Sequence, residues 1–450
     1  MSATVERLGA VVLILASGGL AAAGVPMVHE EAKLTASDAA EDDLFGIAVG
    51  LDGDTAVVGA YLDDHAGGGD AGSAYVYVND GSGWTEQAKL TANLAEPGAW
   101  FGAEAAIAGN RAVIGAFRSS LAGFPDAGSA HVYTRSGTVW TEHAVLTASD
   151  AAAGDLFGSA VAVDGVTALV GAYHDDHPGA SQSGSAYVFV APGSNWTEQG
   201  KLVASDAGDG DEFGISVALD GDTAVVGAFS DSHAGGMQAG SAYVFVRNGA
   251  TWTEQAKLVA SDAAPVDNFG FSVDVSGDTV VVGAYHADPV NSGAAYVFVR
   301  DGTTWTEQAK LVASDAEAAA LFGGNVAIEG GTALVSSTLD DHSGATSAGS
   351  VYVFTREGTT WTEQFKLTAS DVASGDIFGV TALSGGRAIV GANRDDHSGL
   401  TDSGAAYIFE DIPTGDDQVP AISGRGSLAV MVLLLTVSAA VLIRRRRTAG

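Results

Sequence analysis

Phe45-Gly46-Ile47-Ala48-Val49-Gly50-Leu51-Asp52-Gly53-Asp54-Thr55-Ala56-Val57-Val58-Gly59-Ala60 is two apolar runs folded about Asp52-Gly53. An Asp-Gly pair between short runs rich in β-branched residues is a strong two-residue hairpin signal, so 45–51 and 55–60 read as antiparallel strands. A polar loop from Leu62 to Gly72 leads to Ser73-Ala74-Tyr75-Val76-Tyr77-Val78, where large and small residues alternate as on a half-buried strand. A turn at Asn79 to Gly83 precedes a fourth strand, Trp84-Thr85-Glu86-Gln87-Ala88-Lys89-Leu90.

The unit repeats. Its Phe-Gly pair recurs at Phe45, Phe101, Phe157, Phe213, Phe269, Phe322 and Phe378, in steps of 56 residues apart from one of 53. Four antiparallel strands per period make a propeller blade, and seven blades lie within the roughly four to eight of known propellers. The seventh copy stops at Glu410 without a Trp-Thr-Glu-Gln strand, whereas Val28-His29-Glu30-Glu31-Ala32-Lys33-Leu34 lies one period before 84–90. The expected fold is therefore all-β: a seven-bladed β-propeller of four-stranded antiparallel blades, closed by the N-terminal strand completing the last blade.

With these residues in view, the chain resembles the FG-GAP repeat family, the blades of the integrin α-subunit head and of many bacterial secreted proteins. The resemblance covers about 28–410. It rests on Phe-Gly, on Gly-Ala closing strand two (Gly59-Ala60, Gly115-Ala116, Gly171-Ala172, Gly227-Ala228, Gly283-Ala284, Gly391-Ala392), and on the Gly-Ser-Ala-Tyr-Val-Phe and Trp-Thr-Glu-Gln strands. Copy six departs, with Ser336-Ser337 in the Gly-Ala position, which puts its close backbone packing in question.

The two ends carry other signals. Met1 to Ala23 combines Arg7, a largely apolar run and Ala21-Ala22-Ala23, which reads as a secretory signal peptide. Leu428 to Ile443 holds sixteen residues without a charge and is followed by four arginines, 444–447. At about 1.5 Å per residue it reaches about 24 Å, a short transmembrane helix whose basic end stays in the cytoplasm. With Val419-Pro420-Ala421-Ile422-Ser423 ahead of it, this tail resembles bacterial sorting signals of the PEP and IPTL type, which implies a membrane sorting peptidase as a partner. The expected domains are a signal peptide (1–23), the propeller (24–410), a linker with the sorting-like motif (411–427), the helix (428–443) and a basic cytoplasmic tail (444–450). This places the propeller outside the cytoplasm, at a bacterial cell envelope.

The chain has no cysteine, so disulfides and thiolate metal sites are excluded. Its net charge is −35. Without Glu6, Arg7, Arg425 and the four tail arginines, residues 24–424 hold 54 acidic and 14 basic side chains. A field of that sign disfavours nucleic acid and anionic lipid, and suits cations or a saline medium.

In a four-strand meander the turns after strands two and four share one face, and here that face collects the long acidic loops. Asp38 lies in the loop after strand four. Asp63-Asp64-His65 follows strand two and recurs as Asp175-Asp176-His177, Asp231-Ser232-His233, Asp340-Asp341-His342 and Asp395-Asp396-His397. Two readings compete. Carboxylates and backbone carbonyls are oxygen ligands suited to Ca²⁺, which would make Asp38, Asp63, Asp64, Asp175, Asp176, Asp340, Asp341, Asp395 and Asp396 candidate ligands. Alternatively, Asp and Ser cap turns through bonds to backbone amides while His packs beneath, and this reading is favoured. The integrin-type calcium series in the first hairpin is absent, because Asp52-Gly53-Asp54 is too short for it, so the resemblance does not carry calcium over.

Blade-specific departures mark candidate ligand contacts: Phe117 to Phe124 in copy two, where Arg118-Ser119-Ser120 replaces the acidic loop, and Pro289-Val290-Asn291 in copy five. Phe117, Phe124, Pro289 and Asn291 are the residues expected to touch a partner. No HExxH or Gly-rich phosphate loop is present. The expected function is a non-enzymatic, envelope-anchored module binding a surface protein or polysaccharide through the acidic loop face. The alternatives are an enzyme with a site assembled in the axial channel, or a purely structural envelope component.

Overall fold

Asp52-Gly53 does form a tight turn, with Gly53 in the left-handed region that its missing side chain permits, and the flanking residues pair as β2 (Val49–Asp52) and β3 (Thr55–Ala60). β4 (Ser73–Asn79) and β5 (Trp84–Leu90) follow in antiparallel order and complete the first blade. β6 (Glu104–Ala108), β7 (Arg111–Ala116), β8 (Ser129–Ser136) and β9 (Val139–Leu146) form the second. The sixteen strands from β10 (Ala160–Asp164) to β25 (Thr360–Leu367) build blades three to six. In this computed structural model residues 28–120, 124–193, 195–287 and 290–415 are described, and all their regular structure is strand. The expected signal peptide, sorting motif, apolar helix and basic tail, and also Pro289, lie outside the described residues. Among the described residues no helix is long and apolar enough to cross a membrane.

Closure follows the expected route. β1 (His29–Leu34) pairs with β28 (Ala405–Glu410), which pairs with β27 (Arg387–Ala392) and then β26 (Phe378–Ser384). The register runs from His29 opposite Glu410 to Leu34 opposite Ala406.

Between neighbouring blades the core repeats like the sequence. Phe45, fully buried, meets Tyr75 and Tyr77 edge-on at 5.5 and 6.1 Å, and the triplet recurs around Phe157, Phe213, Phe269, Phe322 and Phe378 with phenylalanine in the place of Tyr77. Edge-to-face contact adds about 0.5–1.5 kcal/mol per aromatic pair beyond burial.

One expectation is corrected. In copies one to four the Phe-Gly pair precedes the strand, which begins at Val49, Glu104, Ala160 and Val217; only β18 (Phe269–Ser276), β22 (Phe322–Glu329) and β26 start on the phenylalanine. In copies one to four the pair forms a turn ahead of the strand, with Gly46 at φ +95°. The turn also brings backbones together. A Cβ on Gly59 would overlap the carbonyl oxygen of Gly102 in the next blade, and Gly171 stands in the same relation to Gly214. Copy six resolves its Ser336-Ser337 departure locally: Gly379, which faces Ser336, keeps an ordinary φ, and Ser336 Oγ accepts the Asn325 N–H at 2.7 Å.

Candidate ligand-binding face

The loops after strands two and four do meet on one face, and lysine joins them. Lys89, on the outermost strand of blade one, places its ammonium 2.7 Å from Asp38 Oδ2 and 2.8 Å from Asp63 Oδ2. Tyr75 donates to Asp38 at 2.8 Å, and Ser73 donates to the buried Asp63 at 2.5 Å. Lys33, Lys201, Lys257 and Lys366 bridge Asp371 with Asp395, Asp150 with Asp175, Asp206 with Asp231, and Asp315 with Asp340. In blade five Lys310 holds Asp262 at 2.8 Å, and Ala287 occupies the buried-aspartate position. Burial opposes the charge on Lys89, but its hydrogen bonds to Asp38 and Asp63 prevail and raise its pKa. Burial likewise acts against the charge on Asp38, and the Lys89 and Tyr75 contacts outweigh it, lowering its pKa.

The structure thus separates the paired aspartates of each loop. Asp63, Asp175, Asp340 and Asp395 turn inward to serine, tyrosine or lysine. Asp64, Asp176, Asp341 and Asp396 turn back to cap the loop, accepting the backbone N–H six residues on at 2.7–2.8 Å. His65, His233 and His342 close the same loops on the carbonyl oxygens of Gly72, Gly240 and Gly349. Asp38 and Asp63 come together, with an ammonium already between them. Among the described residues no group of three or more His, Asp or Glu is arranged to hold a metal ion.

Nearer the axis the face is aromatic. Tyr61, Phe117, Tyr173, Phe229 and Tyr285 occupy one repeat position, directly after strand two, and all are half-exposed; blades six and seven carry Thr338 and Asn393 there. Trp100 stands between Tyr61 and Phe117, with ring centroids at 5.0 and 5.5 Å, and the Arg118 guanidinium lies 3.9 Å from its centroid. Phe271 joins Phe229 to Tyr285 at 5.6 and 4.4 Å. Burial pushes the Tyr61, Tyr173 and Tyr285 hydroxyls up; Glu212 reinforces this at Tyr173 and Tyr285, and Arg394 and Arg118 oppose it at Tyr61.

Beneath that mouth a cavity of about 270 Å³ is lined by Glu104, Ser159, Ser216, Phe271, Ser272 and Asn325. Burial pushes Glu104 up to about 8, so this acid is largely neutral at pH 7. On its outer side Asp274 is pushed up to about 7 by burial, against the Ile328 and Val275 amides that it accepts.

Of the expected contact residues, Phe117 belongs to the aromatic mouth. Phe124 is 46% exposed on the copy-two loop. Asn291 lies three blades away and lines a cleft with Asp262, His286 and Tyr296. The face does not bring these residues to one point.

Copy two holds what loop comparison alone misses. The positions of Asp38, Asp63, Tyr75 and Lys89 are filled one period later by Leu94, Ser119, His131 and Val145. With the long charged chains gone, a cleft of about 540 Å³ opens between blades one and two. The signal was visible as four aligned departures, but nothing in sequence separation shows that they meet.

The family model described as FG-GAP repeat matches seven segments, residues 28–77, 84–133, 140–189, 196–245, 252–298, 305–354 and 361–409. No curated protein matches the chain.

Proposed function

Since the chain belongs to the FG-GAP repeat family, matched in all seven of its copies, we propose that it is an exported module held at the cell envelope, binding a surface protein or polysaccharide through the aromatic mouth of the loop face without catalysis there. The observation that supports this reading is the arc of half-exposed rings from Tyr61 through Trp100 and Phe117 to Phe229, Phe271 and Tyr285. Large rigid rings lose little conformational entropy on binding, offer flat faces to sugars and side chains, and dominate interface energetics where they cluster. Arg118 over Trp100 adds a polar group that fixes orientation. The 428–443 helix would supply the anchor and the 419–423 element the site for a sorting peptidase.

Glycan-array and surface-protein capture with the full chain tests the reading. Trp100→Ala and Phe117→Ala are each expected to weaken capture by about tenfold or more. Unchanged capture in both variants would leave only the structural role. Cell fractionation with 444–447 replaced by alanines tests the anchoring.

A further inference from the structure

The cleft between blades one and two lies outside the aromatic mouth, and its floor is a chain of hydrogen bonds through two serines, a histidine and a glutamate. Ser119 Oγ lies 2.6 Å from Ser129 Oγ; Ser129 Oγ lies 3.0 Å from His131 Nε2; His131 Nδ1 lies 2.8 Å from Glu142 Oε1. Each member reaches its place for a local reason. Ser129 stands where Ser73 bonds Asp63, and His131 where Tyr75 reaches Asp38. Glu142 belongs to the column of Glu86, whose carboxylate staples Ser37 N and Oγ at 3.0 and 2.9 Å. In copy two Asn93 replaces that serine, so only its backbone N–H is held, at 2.7 Å, and the other carboxylate oxygen turns to histidine. Phe101 packs edge-on against the imidazole at 5.2 Å and fixes its plane.

We propose that this cleft is an acyl-transfer site in which Ser129 is the nucleophile, His131 the general base and Glu142 the group that orients the imidazole, acting on esters of small aliphatic carboxylic acids. A serine, a base within hydrogen-bond reach and a carboxylate behind the base are the functional parts of a hydrolytic triad, whatever fold carries them. Glu142 accepts from Nδ1–H, which leaves the Nε2 lone pair facing the serine. Burial acts against its charge, but the His131 and Asn93 bonds hold Glu142 below the usual carboxylate range, so it is ionised where an imidazolium would form.

Substrate class follows from the walls. Leu94 is 89% exposed and Val145 50%, and with Ala95, Phe101 and Ala116 they line a cleft that suits a short acyl chain. Attack of Ser129 Oγ on the ester carbonyl carbon passes its proton to His131 Nε2. The carbonyl–alkoxy bond then breaks, and the departing alkoxide takes that proton. Water repeats the sequence, releasing the acid and restoring Ser129. The Ser119 hydroxyl, beside the nucleophile, is the donor for the oxyanion.

The site is independent of partner capture at the aromatic mouth. The full chain, treated with a fluorophosphonate probe and digested with trypsin, should carry the adduct on Ser129 within peptide 119–135. It should also hydrolyse p-nitrophenyl butyrate. Ser129→Ala is the decisive variant, because Ala294 and Ala405 already fill this position in blades five and seven, so the fold accepts alanine. It should abolish labelling and lower hydrolysis about 10²-fold or more, and His131→Ala should do the same. Ser119→Ala should slow turnover while the adduct still forms. No adduct above that of the heat-denatured chain, or wild-type hydrolysis by Ser129→Ala with an unchanged melting curve, would overturn the assignment.

Discussion

Lys33 and Asp395 stand 362 residues apart in the chain, and their ammonium and carboxylate meet at 2.8 Å. The same ammonium holds Asp371 at 2.7 Å, and Glu30 staples the Ser370 N–H and Oγ at 2.9 Å each, so strand β1 is fastened as firmly as any outer strand inside the sequence of blades. Lys33→Met should strand the buried Asp395 carboxylate and cost about 3 kcal/mol, since breaking a buried pair from one side leaves an uncompensated charge. Urea unfolding measures it. A loss equal to that of Lys89→Met would show that the ring is closed by chemistry of ordinary strength.

Stability should fall across neutral pH, and Glu104 should supply part of the fall. Its folded value, about 8, lies above the ordinary 4.5, so the folded state binds more protons between those limits and loses stability as pH rises through them. Asp155 and Asp376, each pushed to about 6 by burial, act in the same direction from 3.8 upward. The bridging pairs have the opposite sign at the far ends. Asp38 and its equivalents lie below 3.8, so their contribution is lost only in stronger acid; the raised lysines keep theirs until pH passes 10.5. Glu104→Gln should match the wild type at pH 4.5 and exceed it at pH 9 by on the order of a few kcal/mol. Melting curves at both pH values decide the point.

Calcium should not raise the melting temperature beyond its ionic-strength effect. The inner aspartates already neutralise an ammonium, and the outer ones cap turns, so a cation would have to displace bonds already made. Scans in calcium and in sodium chloride at equal ionic strength should coincide. A shift specific to calcium would show that the acidic face reorganises around it.

Two glycine substitutions should behave differently. Gly171→Ala drives a methyl into the Gly214 carbonyl of the next blade and should cost about 2–3 kcal/mol, as overpacking does. Gly53→Ala meets open space and carries only the cost of a left-handed backbone, about 1 kcal/mol. Denaturant titration of the pair tests whether the glycine column is a matter of contact between blades.

The architecture was legible because a period is a global quantity: one hairpin read correctly at Asp52-Gly53 fixes seven, and 28–34 falls into place by subtraction. Phe45 reads as a strand residue because apolar patterning cannot distinguish a buried turn from a buried strand. Asp63 and Asp64 are neighbours of identical type, yet one is buried against lysine and the other caps a loop. That difference arises from the direction each side chain takes as the chain leaves strand β3. His131 and Glu142 lie eleven residues apart on antiparallel strands, where the register sets Glu142 opposite Tyr133 and its carboxylate reaches diagonally to the imidazole.

The lysine bridge also dictates the order in which a blade can shed its charge. Losing the lysine first would abandon two carboxylates, one of them desolvated. Losing the inner aspartate first leaves the ammonium still matched by the outer one. Blade five carries Ala287 in the inner column, with Lys310 holding Asp262. Blade two, with leucine and valine in both outer columns, has neither charge left to match. The inner column is therefore the position at which a blade can change without leaving a desolvated charge behind.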